Sequence, residues 1–215
     1  MKIHVQSFTF GPFQENTYLA YNEEKTAVII DPGCSNSYEE QQLVDFIESN
    51  NLEIKALLST HCHIDHIFGN AFILNKYKVD YYIHELDLPV LERGERSAQV
   101  YGIQGFTPSP QPTKFLKDNE VISFDNLNFK VIFGPGHAPG HVAFYSEENH
   151  FAISGDILFK GSFGRVDLPG GDLETLKQTI HNRFFTLPEQ TIIYSGHGPE
   201  TTVGFEKKTN YILQF

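Results

Sequence analysis

Cysteine is scarce in this 215-residue chain: Cys34 and Cys62 are the only two. Two cannot staple a loop-rich secreted scaffold, so folding must rest on an apolar core, and a reducing cytoplasm is the simplest expected setting. Long hydrophobic runs are missing as well. No stretch approaches the roughly 20 apolar residues of a membrane span, and residues 1–5 alternate like a strand, with no signal-peptide cleavage site. No membrane partner is expected. A Lys/Arg-rich block is also lacking. With 16 Lys and Arg against 27 Asp and Glu, the formal charge is −11. Such a chain repels phosphate backbones, so no nucleic-acid partner is expected either.

What is present is an ordinary globular composition, 40% hydrophobic and 20% charged, over a length that suits one domain, residues 1–215. Residues 4–10, 17–21 and 27–30 read as strands, the last stopped by the turn Asp31-Pro32-Gly33. A helix fits residues 38–48, with Leu43, Val44 and Ile47 on one face. Residues 54–59 form a strand leading into Thr60-His61, a helical turn follows from Ile67, and residues 79–83 form a short strand. Residues 86–119 are the least regular; the proline-rich run at 107–112 must be loop and is placed to overhang a site. Strands at 120–124, 128–133, 141–145 and 151–154 make a meander. A helix over 172–184, a strand over 191–195 and a short helix after Pro199 complete the chain.

The ten histidines carry the chemistry. Thr60-His61-Cys62-His63-Ile64-Asp65-His66 packs three imidazoles and a carboxylate directly behind a buried strand. Imidazole nitrogen and carboxylate oxygen are the donor set of catalytic Zn and related divalent metals. The i, i+2 spacing of His61 and His63 puts both on one face of extended backbone; Asp65 and His66 follow as the chain turns and point to a second position. Three further junctions add donors: Gly136-His137 in a glycine-rich loop that ends at His141, Gly155-Asp156 with a carboxylate suited to bridging two metals, and Gly196-His197.

His61-x-His63-x-Asp65-His66, Gly136-His137, Gly155-Asp156 and Gly196-His197, in that order, resemble the motifs of the metallo-β-lactamase superfamily, and Asp31-Pro32-Gly33 matches another of its signatures. The resemblance implies an α/β fold, an αββα sandwich of two mixed sheets flanked by helices, with metals at one edge. It implies that His61, His63 and His137 hold one divalent ion and Asp65, His66 and His197 a second, with Asp156 bridging. Zn is the expected metal, with Fe and Mn compatible with the same donors.

Within the superfamily the chain is similar to glyoxalase II and its short relatives, on the segment Gly155-Asp156-Ile157-Leu158-Phe159 and the run from Gly161 to Asp172. That likeness implies a thioester hydrolase acting on small S-2-hydroxyacyl thiols such as S-lactoylglutathione. A hydroxide bridging the metals would attack the acyl carbon, with Asp65 both a ligand and the residue orienting the nucleophile. Longer glyoxalases II carry a glutathione-contacting lysine at the position of Arg165 and a tyrosine two residues on, where Asp167 stands here. Arg165 is therefore the expected substrate-binding residue, through bidentate hydrogen bonds to a carboxylate. The C-terminal helical domain of the longer enzymes is not expected, so the reaction class transfers better than glutathione specificity. The alternative is a persulfide dioxygenase of the same fold, with one iron on His61, His137 and Asp156. Cys62 is expected to point into the core and Phe159 and Phe163 to line a cleft, while the role of His141 stays open, support of the ligands being one reading. His4, His84, His150 and His181 have no motif context.

Overall fold

A computed structural model describes residues 2–215. The chain opens with β1 (Ile3–Phe10), β2 (Glu15–Asn22) and β3 (Thr26–Ile30), followed by α1 (Ser37–Ser49) and β4 (Glu53–Leu58). After α2 (Asn70–Tyr77) and β5 (Asp80–His84) come α3 (Leu88–Glu92), α4 (Gly94–Tyr101) and β6 (Lys114–Leu116). The second half holds β7 (Val121–Phe124), β8 (Leu127–Phe133), β9 (Val142–Ser146), β10 (Phe151–Gly155), and the small hairpin β11 (Leu158–Phe159) and β12 (Ser162–Phe163). It ends with α5 (Leu173–Thr179), β13 (Ile192–Ser195), β14 (Thr201–Thr202) and α6 (Val203–Thr209).

Two six-stranded sheets result, in the orders β1-β2-β3-β4-β5-β6 and β14-β13-β10-β9-β8-β7. Both are mixed. In the first, β1 to β3 are antiparallel and β3 to β6 parallel. In the second, the β7-to-β10 meander is antiparallel and β13 joins β10 in parallel.

The pleat of the strands explains the layering. In β3, Val28 and Ile30 face the other sheet while Ala27 and Ile29 face outward, and all four are fully buried. A strand apolar on both faces needs cover on both. Ala20, Val28, Ile30 and Leu58 meet Phe129, Val131, Phe144 and Ile153 of the opposite sheet to form the central core. Leu43 and Ile47 of α1 and Ile73 of α2 cover the first sheet, and Leu176 of α5 and Val203 of α6 cover the second. The result is the αββα sandwich that the sequence resemblance implies. No helix among the described residues is long and apolar enough to cross a membrane.

Residues 86–119, the least regular stretch of the sequence, are loop over the proline run at 107–112 as expected, but they also contain α3, α4 and β6. Pro89 sits in the first turn of α3, where its missing N–H costs nothing, and α4 stops at Gly102, whose φ of +68° closes a left-handed cap. Two helices of five and eight residues are too short to show a 3.6-residue period. The helix expected over 172–184 is α-helical only to Thr179, continuing as a wider π-type turn through Phe184.

Candidate metal centre

The ends of β3, β4, β10 and β13 and the β8–β9 loop lie at one edge of the sandwich. Backbone hydrogen bonds fix them there: Val142 N–H to the Thr60 carbonyl (2.8 Å), Gly196 N–H to Gly155 (2.8 Å) and Asn16 N–H to Gly196 (2.7 Å). All seven expected ligands come together at this edge.

They form two clusters. His61 Nε2 lies 3.2 Å from His137 Nε2, which is 2.8 Å from His63 Nδ1. Beside them, His197 Nε2 is 3.2 Å from Asp65 Oδ2, which is 4.0 Å from His66 Nε2. Asp156 stands between. Its Oδ2 is 3.5 Å from both His137 Nε2 and His197 Nε2, and its Oδ1 is 3.4 Å from His66 Nε2. Ligands about 2.0–2.2 Å from a shared ion lie about this far apart.

The far sides of the imidazoles explain which nitrogens face the centre. Thr60 Oγ1 donates to Asp31 Oδ2 (2.5 Å), so its oxygen is left to accept from His61 Nδ1 (3.1 Å). His66 Nδ1 donates to the same Asp31 oxygen (3.1 Å), and His137 Nδ1 donates to the Arg165 carbonyl (2.6 Å). Each of these rings thus donates outward from Nδ1 and turns its Nε2 toward the centre, the arrangement that orients metal-binding histidines. Asp31 also accepts Thr60 N–H at 2.7 Å. Although it lies near His61 and His66, its oxygens are occupied by these three donors, which makes it a support and not an eighth donor.

Electrostatics point the same way. Burial holds His61, His63 and His137 below the ordinary imidazole range, His63 at about 3, so their lone pairs are free at neutral pH. Burial works against the charged form of Asp156 too, but the neighbouring His66 and the other imidazoles outweigh it and keep the carboxylate ionised. Burial would likewise lower His66, yet the carboxylates of Asp156 and Asp65 raise it well above normal. His66 Nε2 and Asp156 Oδ1 are buried with no hydrogen-bond partner among the described residues. Orphaned polar atoms are costly in a native interior, and these two face each other across the centre. The His and Asp groups are suited to divalent metals.

Asp87 and Glu15 also belong to this edge, and no motif in the sequence marks them. Asp87 accepts Cys62 N–H (2.6 Å) and Gly140 N–H (2.7 Å), clamping the two histidine loops together; burial lifts its carboxyl to about 6. Glu15 is buried, accepts from Thr17 Oγ1 (2.9 Å), and sits 3.7 Å from His66 Nδ1. A polar Glu15-Asn16-Thr17 triplet opening an otherwise aromatic strand was the available signal. His141 accepts Asp156 N–H at Nε2 (3.0 Å), donates from Nδ1 to the Val142 carbonyl (3.1 Å), and stacks on His61 at 4.5 Å between centroids. It holds Asp156 in place and points no atom at the centre. Cys62 is buried against Tyr81. His4, His84 and His181 pack on Tyr21, Phe133 and Phe185, outside the site.

Above the centre opens a cavity of about 470 Å³. Its floor is His63, Asp65, His137, Asp156 and His197; Phe159 and Phe163 form one wall, Val90 and Tyr101 another. The 107–112 loop does not line it, so the overhang is α3–α4 and not the proline run. Arg165 lies at the wall, but its Nε and Nη2 are each 2.6 Å from the oxygens of Asp167.

Comparison with known proteins agrees with this geometry. The hydroxyacylglutathione hydrolase GloC of Haemophilus influenzae is 37% identical over 212 residues, 98% of either chain. The crystal structure of BLEG-1 B3 metallo-β-lactamase superposes with a TM-score of 0.90 at 34% identity, over 99% of this chain and 100% of that one. That of TTHA1623 in a di-iron-bound form gives 0.86 at 38% identity, over 96% and 98%. The family description Metallo-beta-lactamase superfamily matches residues 10–197, a span that takes in every donor from His61 to His197. With sheets, motif order and donor geometry in accord over that span, the chain belongs to the metallo-β-lactamase superfamily of metal-dependent hydrolases.

Proposed function

We propose that the chain hydrolyses thioesters of small 2-hydroxy acids, S-lactoylglutathione being the reference substrate, at a pair of divalent ions. The observation that carries this is the placement of Asp156, whose two oxygens face both donor clusters at the floor of a largely apolar cavity. His61, His63 and His137 would hold one ion, Asp65, His66 and His197 the other, and Asp156 both. Two such ions acidify a water and polarise an acyl carbonyl. Zinc is the proposed metal, although TTHA1623 holds two irons and the N/O donor set takes either.

The chain's own residues do the rest. Asp65, part-exposed on the cavity floor and 3.2 Å from His197, accepts a hydrogen bond from the attacking water and orients it. Phe159, Phe163 and Tyr101 exclude bulk water from the acyl group. Water adds to the acyl carbon, the C–S bond breaks, and a carboxylate, a proton and a thiol leave. A thiolate departs without a strong general acid, and no such acid is needed on the wall. The two buried free cysteines fit a reducing, cytoplasmic setting.

The test uses protein reconstituted with zinc or iron and its metal content measured. Turnover of S-lactoylglutathione supports the reading. Oxygen uptake on glutathione persulfide without thioester turnover overturns it in favour of a dioxygenase, and opening of a β-lactam such as nitrocefin alone overturns it in favour of a lactamase. A single-ion site would leave Asp65, His66 and His197 converging on nothing, and His66 is fully buried, which favours the two-ion reading.

A further inference from the structure

The cavity wall carries two arginines, and they differ in one respect. Arg165 has its planar fork closed on Asp167, and a substrate carboxylate could enter only by displacing that carboxylate and then lying beside it. The guanidinium of Arg93 has no hydrogen bond or ion pair among the described residues. Arg93 joins α3 to α4, with φ −85° and ψ 0°, and lines the cavity.

Its setting is built. Arg93, Ser97 and Tyr101 recur every four residues, which places them on one helical face, and all three line the cavity. Beside that face, Ala98 is buried against Ile64 and Phe68 of the metal loop. Gly94 is also buried, its Cα packed so closely that a Cβ would lie 3.2 Å from Phe106. These contacts seat the helix on the metal loop, and its guanidinium, hydroxyl and phenol line the space above the donors. Tyr101 is held edge-on to Phe13 at 5.4 Å. In a chain of net charge −11, with Asp65 and Asp156 on the cavity floor, an unneutralised arginine there supplies what an anionic ligand needs to enter.

We infer that Arg93, flanked by Ser97 and Tyr101, holds a carboxylate on the thiol half of the substrate, so that the chain selects thioesters of carboxylate-bearing thiols over neutral ones. The inference rests on the thioester hydrolase reading for the reaction, but the anion subsite is a property of the wall alone. Arg93 is a specificity-determining residue, remote from the bond that breaks.

The experiment compares S-lactoylglutathione with the lactoyl thioester of N-acetylcysteamine, which has no carboxylate, on metal-loaded wild type, Arg93→Gln and Arg165→Gln. The wild type favours the glutathione thioester, and Arg93→Gln lowers that kcat/KM ratio about tenfold, through KM and with metal content unchanged. Arg165→Gln changes the ratio by less than about twofold. An equal effect of Arg93→Gln on both thioesters, or a selective loss in Arg165→Gln, overturns the assignment. Calorimetric titration with S-methylglutathione, which cannot be hydrolysed, reads the subsite directly. The wild type binds about tenfold tighter than Arg93→Gln, and equal or absent binding overturns the inference. Binding through Arg93 with neither thioester turned over would leave the subsite standing and sink the hydrolase reading instead.

Discussion

The floor and the wall of the cavity are built on opposite terms. On the floor, His61, His66 and His137 are at most 2% exposed, and each has its outer nitrogen fixed by a named acceptor. On the wall, Arg93, Tyr101 and Arg165 are exposed and hang from short helices or a loop. A metal centre tolerates little displacement, so its donors must be held by a second layer that has no other task. A surface that recognises the remote half of a substrate contributes binding energy over a wider range of geometry. On the proposed reading, the floor fixes the class of reaction and the wall fixes what is brought to it.

The sharpest way to break this contrast is to disturb the floor by a single carbon. A Cβ on Gly196 would lie 2.1 Å from Asp156 Oδ1 and 2.7 Å from His66 Cε1. Gly196→Ala must displace the Asp156 carboxylate, and a misplacement near 1 Å costs on the order of a hundredfold in rate. Thioester turnover is expected to fall by at least that much, with metal content dropping below two ions per chain by elemental analysis. Full metal content and activity would show that the floor is not rigid. Next in size is Asp31→Asn, which keeps the shape but turns an amide N–H₂ toward donors from Thr60 or His66. Metal affinity, read by competition with a chelator, should weaken about 10- to 100-fold, whereas Arg93→Gln leaves it alone. An equal loss in both variants would erase the distinction between floor and wall.

The same contrast governs how much was legible in the sequence. His61 to His66 announce themselves because four donors crowd behind one buried strand, and Gly-His and Gly-Asp junctions repeat the pattern at three other strand ends. The strands follow from their apolar patterning, a continuous run in β3 and alternation in β8. The supports of the floor are a different matter. Asp87 and Glu15 act by folding back on loops 25 to 53 positions away, as in the bonds from Cys62 and Gly140 to Asp87, and no local spacing encodes that. The wall was hidden for another reason. Arg93, Ser97 and Tyr101 share a face only because residues 94–101 are helical, and eight residues carry too little periodicity to say so.

His141 tests the supports from the other side of the centre. His141→Phe keeps a ring to stack on His61 but removes the acceptor of Asp156 N–H. An orphaned buried N–H costs about 1–3 kcal/mol, so the melting temperature should fall by several degrees and metal should bind more weakly. His141→Gln, which can restore an acceptor, should recover part of the loss. Unchanged stability in His141→Phe would mean that Asp156 is held by its strand alone.

The smallest effect is expected on the wall, at the Arg165–Asp167 clasp. The arginine hydrogen bonds hold the Asp167 carboxyl down at about 2, below its usual range. A carboxyl whose pKa is depressed by folding stabilises the fold above its unfolded value of about 3.9, and that contribution disappears as pH falls through the folded value. The stability difference between wild type and Asp167→Asn should therefore be constant from pH 8 to 5 and vanish between about pH 4 and 2, as read by thermal melts of the two side by side. Because both partners are more than half exposed, the difference should be small and should shrink with added salt. A large or salt-insensitive difference would mean that the clasp belongs with the rigid floor, and Arg165 would then have to be counted among the residues that hold His137 in place, since its carbonyl accepts the His137 Nδ1 proton.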